Sequence, residues 1–243
     1  MTKLDYLKNA MRITTLANTF PALHGLRVFG IFAAIAVHVN MYGFQVHQGF
    51  YQNEFQYIKN FWFAMDLFFV LSGFLITFIL LGKSEELKVG GILRFYFKRS
   101  FRVLPLYYVV FAGIYFMPRY FEYDSKNLIN ELFFLSNYHF SVRYLLEWSW
   151  SLSVELHFYV AVPIFLYFWT KIKVPKLKMF ILFSIWLGVF FWKMITHIDY
   201  SYYDQGYGYE KFLIELYTPT QFRIDDFVAG MAAAYLQITY SSE

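Results

Sequence analysis

The stretch GLRVFGIFAAIAVHVNMYGF, residues 25–44, carries two ionisable side chains, Arg27 and His38, within a long apolar run. A run of this length suits an α-helix that crosses a membrane. Ten residues separate the two side chains, which on a helix is a rise of roughly 16 Å with both within about 20° of one face. Since ionisable groups at membrane depth face the protein interior, the pair is a candidate functional site. The alternative is that Arg27 is a cytoplasmic anchor and His38 a hydrogen-bonded packing residue.

Composition indicates an integral membrane protein. Hydrophobic residues make up 58% and aromatic residues 24% of the 243 residues. Charged residues make up only 16%, against about 25% in soluble proteins. Six segments are long enough to span a bilayer: 26–44, 61–81, 103–118, 148–169, 179–196 and 222–240. The predicted fold is an all-α, polytopic transmembrane bundle of about six spanning helices, in a single domain over residues 1–243.

Charge predicts the orientation of this bundle and excludes some partners. Segments 1–27, 82–102 and 170–178 carry 4, 6 and 4 Lys and Arg residues, together 14 of 21. By the positive-inside rule these segments and both termini are expected in the cytoplasm. A net charge of +4 with so many apolar spans reflects this orientation and not nucleic-acid binding. Because the chain has no Cys, disulfides and Cys-ligated metals are excluded, and the His spacing predicts no metal site.

Polar side chains recur at one depth of the predicted bundle. In this topology His38, Asp66 and Glu155 lie about five to seven residues from the outer ends of their spans, which is the outer third of the membrane. Arg223, Asp225 and Asp226 open the sixth span and share this depth. A shared, partly hydrated cavity is the expected reason for several ionisable groups at this depth. The alternative is that Asp66 and Glu155 are polar contacts that join helices.

A basic cluster lies at the opposite, cytoplasmic side. Arg99 and Arg102 are three residues apart, so on a helix they share a face. Two guanidinium groups on one face can hold phosphate oxygens bidentately, and the alternative is an anchor for anionic lipid headgroups. Pro105 follows, and we expect it near the start of the third span, where a helix tolerates proline.

Five stretches of the sequence, taken in order, resemble the signatures of the acyltransferase-3 family of integral membrane acyltransferases. They are LHGLRVFGIFAAIAVHV (23–39), DLFFVLSGFLIT (66–77), FYFKRSFRVLPLYY (95–108), WSLSVELHFYV (150–160) and FRIDDFVAGMAAA (222–234). The family's Arg-x10-His pair matches Arg27 and His38, its Arg-x-x-Arg pair matches Arg99 and Arg102, and its Ser-x-Glu block includes Glu155. The resemblance extends from about Leu23 to the end of the chain.

The resemblance implies acetyl transfer from cytoplasmic acetyl-CoA to a hydroxyl of a cell-surface glycan. The acceptor is expected to be a lipopolysaccharide O-antigen, an exopolysaccharide, peptidoglycan or a lipid-linked sugar. It implies His38 as the catalytic group and Arg27, Arg99 and Arg102 as donor-binding residues, and Asp66 or Glu155 is the expected carboxylate that orients the ring of His38. The expected location is the inner (plasma) membrane, as a multi-pass protein in contact with lipids.

The sequence departs from the family pattern in three places. His24 stands where the family commonly has Asp, and Leu156 stands where it often has a second acid. The family usually has about ten spanning helices of this length, so a chain with six is expected to be truncated.

The sequence leaves the chemistry of His38 open. It suits a general base that takes a proton from the acceptor hydroxyl, with Asp66 or Glu155 orienting the ring, and it equally suits a nucleophile that forms an acyl-histidine. A chain of Asp, Glu and His within a membrane also suits a proton-coupled transporter, although no repeat or paired Gly/Pro-broken helices are evident. A non-catalytic truncated membrane protein is the remaining alternative.

Overall fold

The computed structural model describes residues 20–46, 61, 63–82, 87–117, 127–138, 146–199 and 212–240. Within these ranges every regular element is helical and no strand occurs, which confirms the predicted all-α class. The α-helices are α1 Pro21–Val46, α2 Phe63–Leu81, α3 Val89–Tyr115, α4 Asn127–Leu132, α5 Trp150–Thr170, α6 Pro175–Asp199 and α7 Ile224–Tyr240. Short helical turns lie at Ser136–Tyr138, Glu147–Ser149, Leu213–Tyr217 and Thr220–Phe222.

Four helices in this part of the chain are long and apolar enough to cross a membrane: Pro21–Val39, Phe63–Leu81, Trp150–Thr170 and Pro175–Thr196. They coincide with the first, second, fourth and fifth predicted spans. The other two predicted spans also fall on helices, α3 and α7. The sixth is short, because α7 has 17 residues and carries Asp225 and Asp226 in its first turn. The six-span count, the orientation and the single domain stay predictions.

The third predicted span is the second half of a longer helix. Helix α3 has 27 residues and begins at Val89, so Arg99, Arg102 and the apolar residues after them share one continuous helix. The expectation that Pro105 lies near a helix start is therefore wrong, because Pro105 lies inside α3. A proline there lacks the N–H that would bond to the carbonyl of residue 101, yet the helix continues to Tyr115.

The chain divides into two compact units, residues 1–71 and 72–243, with the boundary inside α2. In the first unit, Gly30, Ala33 and Val37 form a buried stripe of small side chains along α1. A Cβ at Gly30 would lie 3.1 Å from the ring of Phe68, so the absence of a side chain permits this close approach of α2. Most other apolar side chains of α1 are exposed, as Phe32 is, which is expected of a surface that faces lipid.

The core of the second unit joins helices α2, α3, α5, α6 and α7. Its buried members are Ile76, Leu80, Phe95, Tyr159, Val162, Leu166, Trp169, Leu182, Val228 and Met231. Helices α2 and α7 pack backbone against backbone, because a Cβ built on Gly73 would lie 2.9 Å from the Cα of Phe227 and would overlap its carbonyl oxygen. The ring of Phe227 in turn stacks on Phe158 of α5, with centroids 4.0 Å apart and planes 12° apart. These two contacts, from α2 to α7 and from α7 to α5, fix the position of this part of α2 relative to α5.

A sharp reversal after α4 brings the loop that follows it onto α5. Phe134 has φ 57°, a left-handed conformation that is uncommon for a bulky residue. Its ring packs on Tyr107 of α3 at a centroid distance of 4.6 Å, and Leu135 N donates to Asn130 O at 2.6 Å. The reversal leads directly into the turn Ser136–Tyr138, which contacts α5.

Candidate active site

Three of the predicted site residues lie in the first unit. Arg27 and His38 both lie on α1, which is unbroken between them, so the predicted separation of about three turns on one face holds. Both side chains are half-buried, next to the stripe formed by Gly30, Ala33 and Val37. Asp66 is half-buried in the first turn of α2.

The other three, Arg99, Arg102 and Glu155, lie in the second unit, and two of them are linked there. Glu155 on α5 accepts two hydrogen bonds at the same oxygen, Oε1. Ser72 Oγ of α2 donates one at 2.7 Å, and the Tyr159 hydroxyl, one turn further along α5, donates the other. Its second oxygen, Oε2, accepts no hydrogen bond from the described residues. A carboxylate gains more from such donors than a neutral acceptor does, so two hydroxyls hold Glu155 in one orientation.

Tyr159 carries the link from Glu155 to the basic cluster. The ring is buried, with only 5% of the residue exposed, and the Arg99 guanidinium carbon lies 5.1 Å from its centroid. The same guanidinium lies 5.8 Å from the ring of Phe95. Cations within about 6 Å of an aromatic face are attracted by the ring quadrupole. Arg99 and Glu155 are therefore held at two ends of one tyrosine, the ring face and the hydroxyl.

Helix α3 is fixed against α5 at this point. The hydroxyl of Tyr96 donates to the carbonyl of Val160 at 2.8 Å, and Phe95 packs edge-on against Tyr159. Arg99 is half-buried by these contacts, whereas Arg102, one turn later on the same helix, is exposed. The prediction that the two arginines share a helix is confirmed, and the structure adds that only Arg99 is tied to the interior of the second unit.

Glu155 and Tyr159 lie on one side of α5, where Ser72 of α2 and Arg99 of α3 contact them. We call these four residues the charged face of α5. A second set of polar residues occupies the other side of the same helix, and we call it the neutral face. It comprises Ser136, Asn137, Ser149, Ser153, His157 and Thr220. Ser153 and His157 are four residues apart, as Glu155 and Tyr159 are, and the two pairs are offset by two residues, or about 200° around the axis. The contacts of each pair confirm that they point to different neighbours.

Hydrogen bonds connect the neutral face into two groups. Ser136 Oγ lies 3.1 Å from Ser149 Oγ and 2.9 Å from Ser153 Oγ. Thr220 Oγ1 lies 2.7 Å from Nδ1 of His157 and accepts from Asn137 Nδ2 at 2.9 Å. None of these hydrogen bonds involves a charged side chain. The network joins the loop after α4, helix α5 and the turn before α7, so it holds three separate parts of the chain together.

The acidic residues at the start of α7 have partners that the sequence does not suggest. Asp225 pairs with Lys193 of α6 at 2.6 Å. The Arg223 side chain is buried, its Nε donates to the Tyr217 carbonyl at 2.6 Å, and its guanidinium carbon lies 4.1 Å from that ring centroid. These contacts fix the entry into α7, and carboxylates in a first helical turn also suit the helix dipole. The expected placement of Arg223, Asp225 and Asp226 in a shared cavity stays a prediction.

Sequence reasoning missed Ser72, Tyr159 and most of the neutral face. Tyr159 had a detectable signal, because it follows Glu155 by four residues and so shares its helix face. Ser136 and Asn137 had none, since they lie in a short turn without periodicity. Among the described residues, no group of three His, Asp or Glu side chains converges as metal ligands do.

Comparisons with known proteins agree with this architecture. Residues 20–235 match the acyltransferase-3 family model, which describes an acyltransferase domain. The chain is 29% identical over 233 residues to the peptidoglycan O-acetyltransferase OatA of Listeria monocytogenes serovar 1/2a, covering 89% of this chain and 34% of that protein. It is 26% identical over 163 residues to the O-acetyltransferase OatA of Staphylococcus aureus strain NCTC 8325, covering 61% and 25%.

The chain thus spans about a third of the length of the first relative and a quarter of the second. No solved structure matches it. The family model, however, covers most of the sequence, from the residue before α1 to within the last helix. The chain therefore belongs to the acyltransferase-3 family.

Proposed function

We propose that this chain forms the membrane part of an O-acetyltransferase that moves an acetyl group from cytoplasmic acetyl-CoA to a hydroxyl of a cell-surface glycan, in the plasma membrane. The relatives named as peptidoglycan O-acetyltransferases favour peptidoglycan as the acceptor. The observation that supports the proposal best is the charged face of α5. A guanidinium group seated on two aromatic rings and linked to an intramembrane carboxylate is more than an anchor for lipid headgroups.

The donor end of the proposal uses Arg99 and Arg102. The Arg99 guanidinium lies over the rings of Phe95 and Tyr159 and forms no ion pair with a carboxylate of the described residues. Its N–H groups thus remain available for an anion. Planar guanidinium forks match phosphate oxygens bidentately, and acetyl-CoA carries such phosphates. Arg27 is proposed to hold the donor arm, because it shares a helix face with His38.

The catalytic end of the proposal uses His38. Its imidazole takes the proton of the acceptor hydroxyl while that oxygen attacks the thioester carbon. The C–S bond breaks, and the imidazolium returns the proton to the departing thiolate. Two carboxylates are candidates for stabilising the imidazolium: Asp66 lies in the same compact unit as His38, and Glu155 is held in one orientation by Ser72 and Tyr159. An acyl-histidine route through the same residue remains the alternative chemistry.

Release of free thiol from acetyl-CoA, measured with the chain in proteoliposomes and soluble peptidoglycan glycan strands as acceptor, tests this function. The Arg99→Ala, Arg102→Ala double variant should raise the KM for acetyl-CoA at least about tenfold, since two bidentate contacts are lost. His38→Ala should lower kcat about 100-fold, the usual contribution of a positioned base.

Arg94→Ala is the matched control for the donor end. Arg94 is an exposed arginine on the same helix, so the variant removes one positive charge without touching the charged face. It should leave the KM nearly unchanged. Equal KM values for the control and the double variant, or a His38→Ala variant with more than a tenth of the wild-type rate, would contradict the proposal.

A further inference from the structure

We infer that Tyr159 is a positioning residue with two separable tasks, in which its ring holds Arg99 for the donor and its hydroxyl holds Glu155. The inference rests on the proposed function and assigns a role to a residue that the family match does not single out. It is carried by the geometry around one buried side chain.

The ring task follows from what surrounds Arg99. The aromatic rings of Tyr159 and Phe95 lie 5.1 and 5.8 Å from the guanidinium carbon, and these rings pack edge-on against each other at 6.3 Å. The two rings form a corner that restricts a long, flexible side chain to one place. A guanidinium placed in advance loses less conformational entropy on binding a phosphate than a free one does. Loss of the Tyr159 ring should therefore weaken donor binding.

The hydroxyl task follows from what surrounds Glu155. The Tyr159 hydroxyl and Ser72 Oγ both donate to Oε1, and no donor among the described residues reaches Oε2. The carboxylate is thus oriented from one side, and its second oxygen is presented in a fixed direction. Removal of the hydroxyl would free the carboxylate to rotate while leaving the ring on Arg99. Its loss should therefore affect turnover and leave donor binding unchanged.

One side chain can serve both tasks because α5 positions Tyr159 between Glu155 and Arg99. Tyr159 is one turn after Glu155, and the Tyr96 hydroxyl bond to Val160 holds α3 against α5 at the next residue. The hydroxyl end points along α5 towards Ser72 of α2, whereas the ring face meets α3. The tyrosine therefore links a donor-binding helix to an intramembrane carboxylate through a rigid aromatic body.

Two variants of Tyr159 separate the tasks. Tyr159→Phe keeps the ring and removes the hydroxyl, so kcat should fall about tenfold while the Kd for acetyl-CoA, measured by calorimetry, changes less than twofold. Tyr159→Leu removes the ring as well, so the Kd should rise about tenfold in addition.

Ser72→Ala should resemble Tyr159→Phe, since it removes the other donor to Glu155. In a double-mutant cycle, Tyr159→Leu should add little to the Kd effect of Arg99→Ala, because both remove the same held guanidinium.

Trp169→Leu is the control for a general loss of packing. It removes a buried aromatic residue from the same helix and the same core, away from Arg99, and should leave the Kd unchanged in folded protein. If Tyr159→Leu binds acetyl-CoA as tightly as the wild type, or if Tyr159→Phe weakens binding as much as Tyr159→Leu does, the two-task assignment is overturned. A wild-type chain that binds no acetyl-CoA would overturn the proposed function and this inference with it.

Discussion

The charged and neutral faces of α5 differ in how their polar groups are satisfied. On the neutral face, hydroxyl, amide and imidazole groups bond to one another and connect loops to the helix, although the buried Asn137 Oδ1 has no partner among the described residues. On the charged face, a carboxylate is held at one oxygen and a guanidinium lies over an aromatic ring, so both retain capacity for a ligand. A network of neutral groups that bond mainly to one another stabilises a fold, whereas charged groups with remaining hydrogen-bonding capacity suit binding and chemistry. The same helix thus carries one of each.

The largest effect should come from moving α2, which carries Ser72 of the charged face, away from α7. Gly73→Ala places a methyl group against the backbone of Phe227, so α2 must move and Ser72 must leave Glu155. We expect a loss of about 3 kcal/mol in the free energy of unfolding, at the upper end for an overpacked site. Unfolding in detergent, followed by tryptophan fluorescence against denaturant, measures it.

Gly188→Ala is the matched control for that variant. A Cβ at Gly188 in α6 meets nothing within 4 Å, and alanine is the better helix former, so stability should stay equal or rise by up to about 1 kcal/mol. Equal stability of the two variants would show that α2 and α7 do not pack as closely as described.

A smaller effect should distinguish the two faces by activity. Glu155→Gln keeps the shape of the side chain and removes its charge, so the rate of acetyl transfer should fall about 30-fold, the equivalent of about 2 kcal/mol. His157→Gln on the neutral face should change that rate less than about threefold in folded protein. Thiol release per folded molecule measures both, and a larger rate loss for His157→Gln than for Glu155→Gln would reverse the assignment of the faces.

The smallest effect should come from the neutral face and appear in stability alone. Thr220→Val removes the hydroxyl that His157 and Asn137 share and leaves buried polar groups without a partner. The expected cost is about 1.5 kcal/mol in the free energy of unfolding. Thr220→Ser retains the hydroxyl and should restore most of that stability. A fall in acetyl transfer per folded molecule in Thr220→Val would show that the neutral face also takes part in the reaction.

Sequence patterns alone determined the class of the protein and the helices that bear its candidate residues. Apolar runs of about 20 residues are a local property, and helical periodicity places Arg27 on the same face as His38, and Arg99 on the same face as Arg102, without knowledge of other segments. The five stretches that resemble family signatures, in their order along the chain, also indicated the family. Pro105 was misplaced because local propensity does not reveal that α3 starts 16 residues earlier, at Val89.

Only the tertiary structure decided which polar groups meet. Ser72 and Glu155 are 83 residues apart in the chain, as are Asn137 and Thr220. No periodicity relates such positions, since their contact depends on how the helices pack. A close approach at Gly73 sets the position of α2, and the left-handed turn at Phe134 sets that of the loop. The sequence therefore determined where the charges lie along each helix, and packing decided that Tyr159 joins two of them, because a side-chain contact between helices is fixed by their relative depth and rotation.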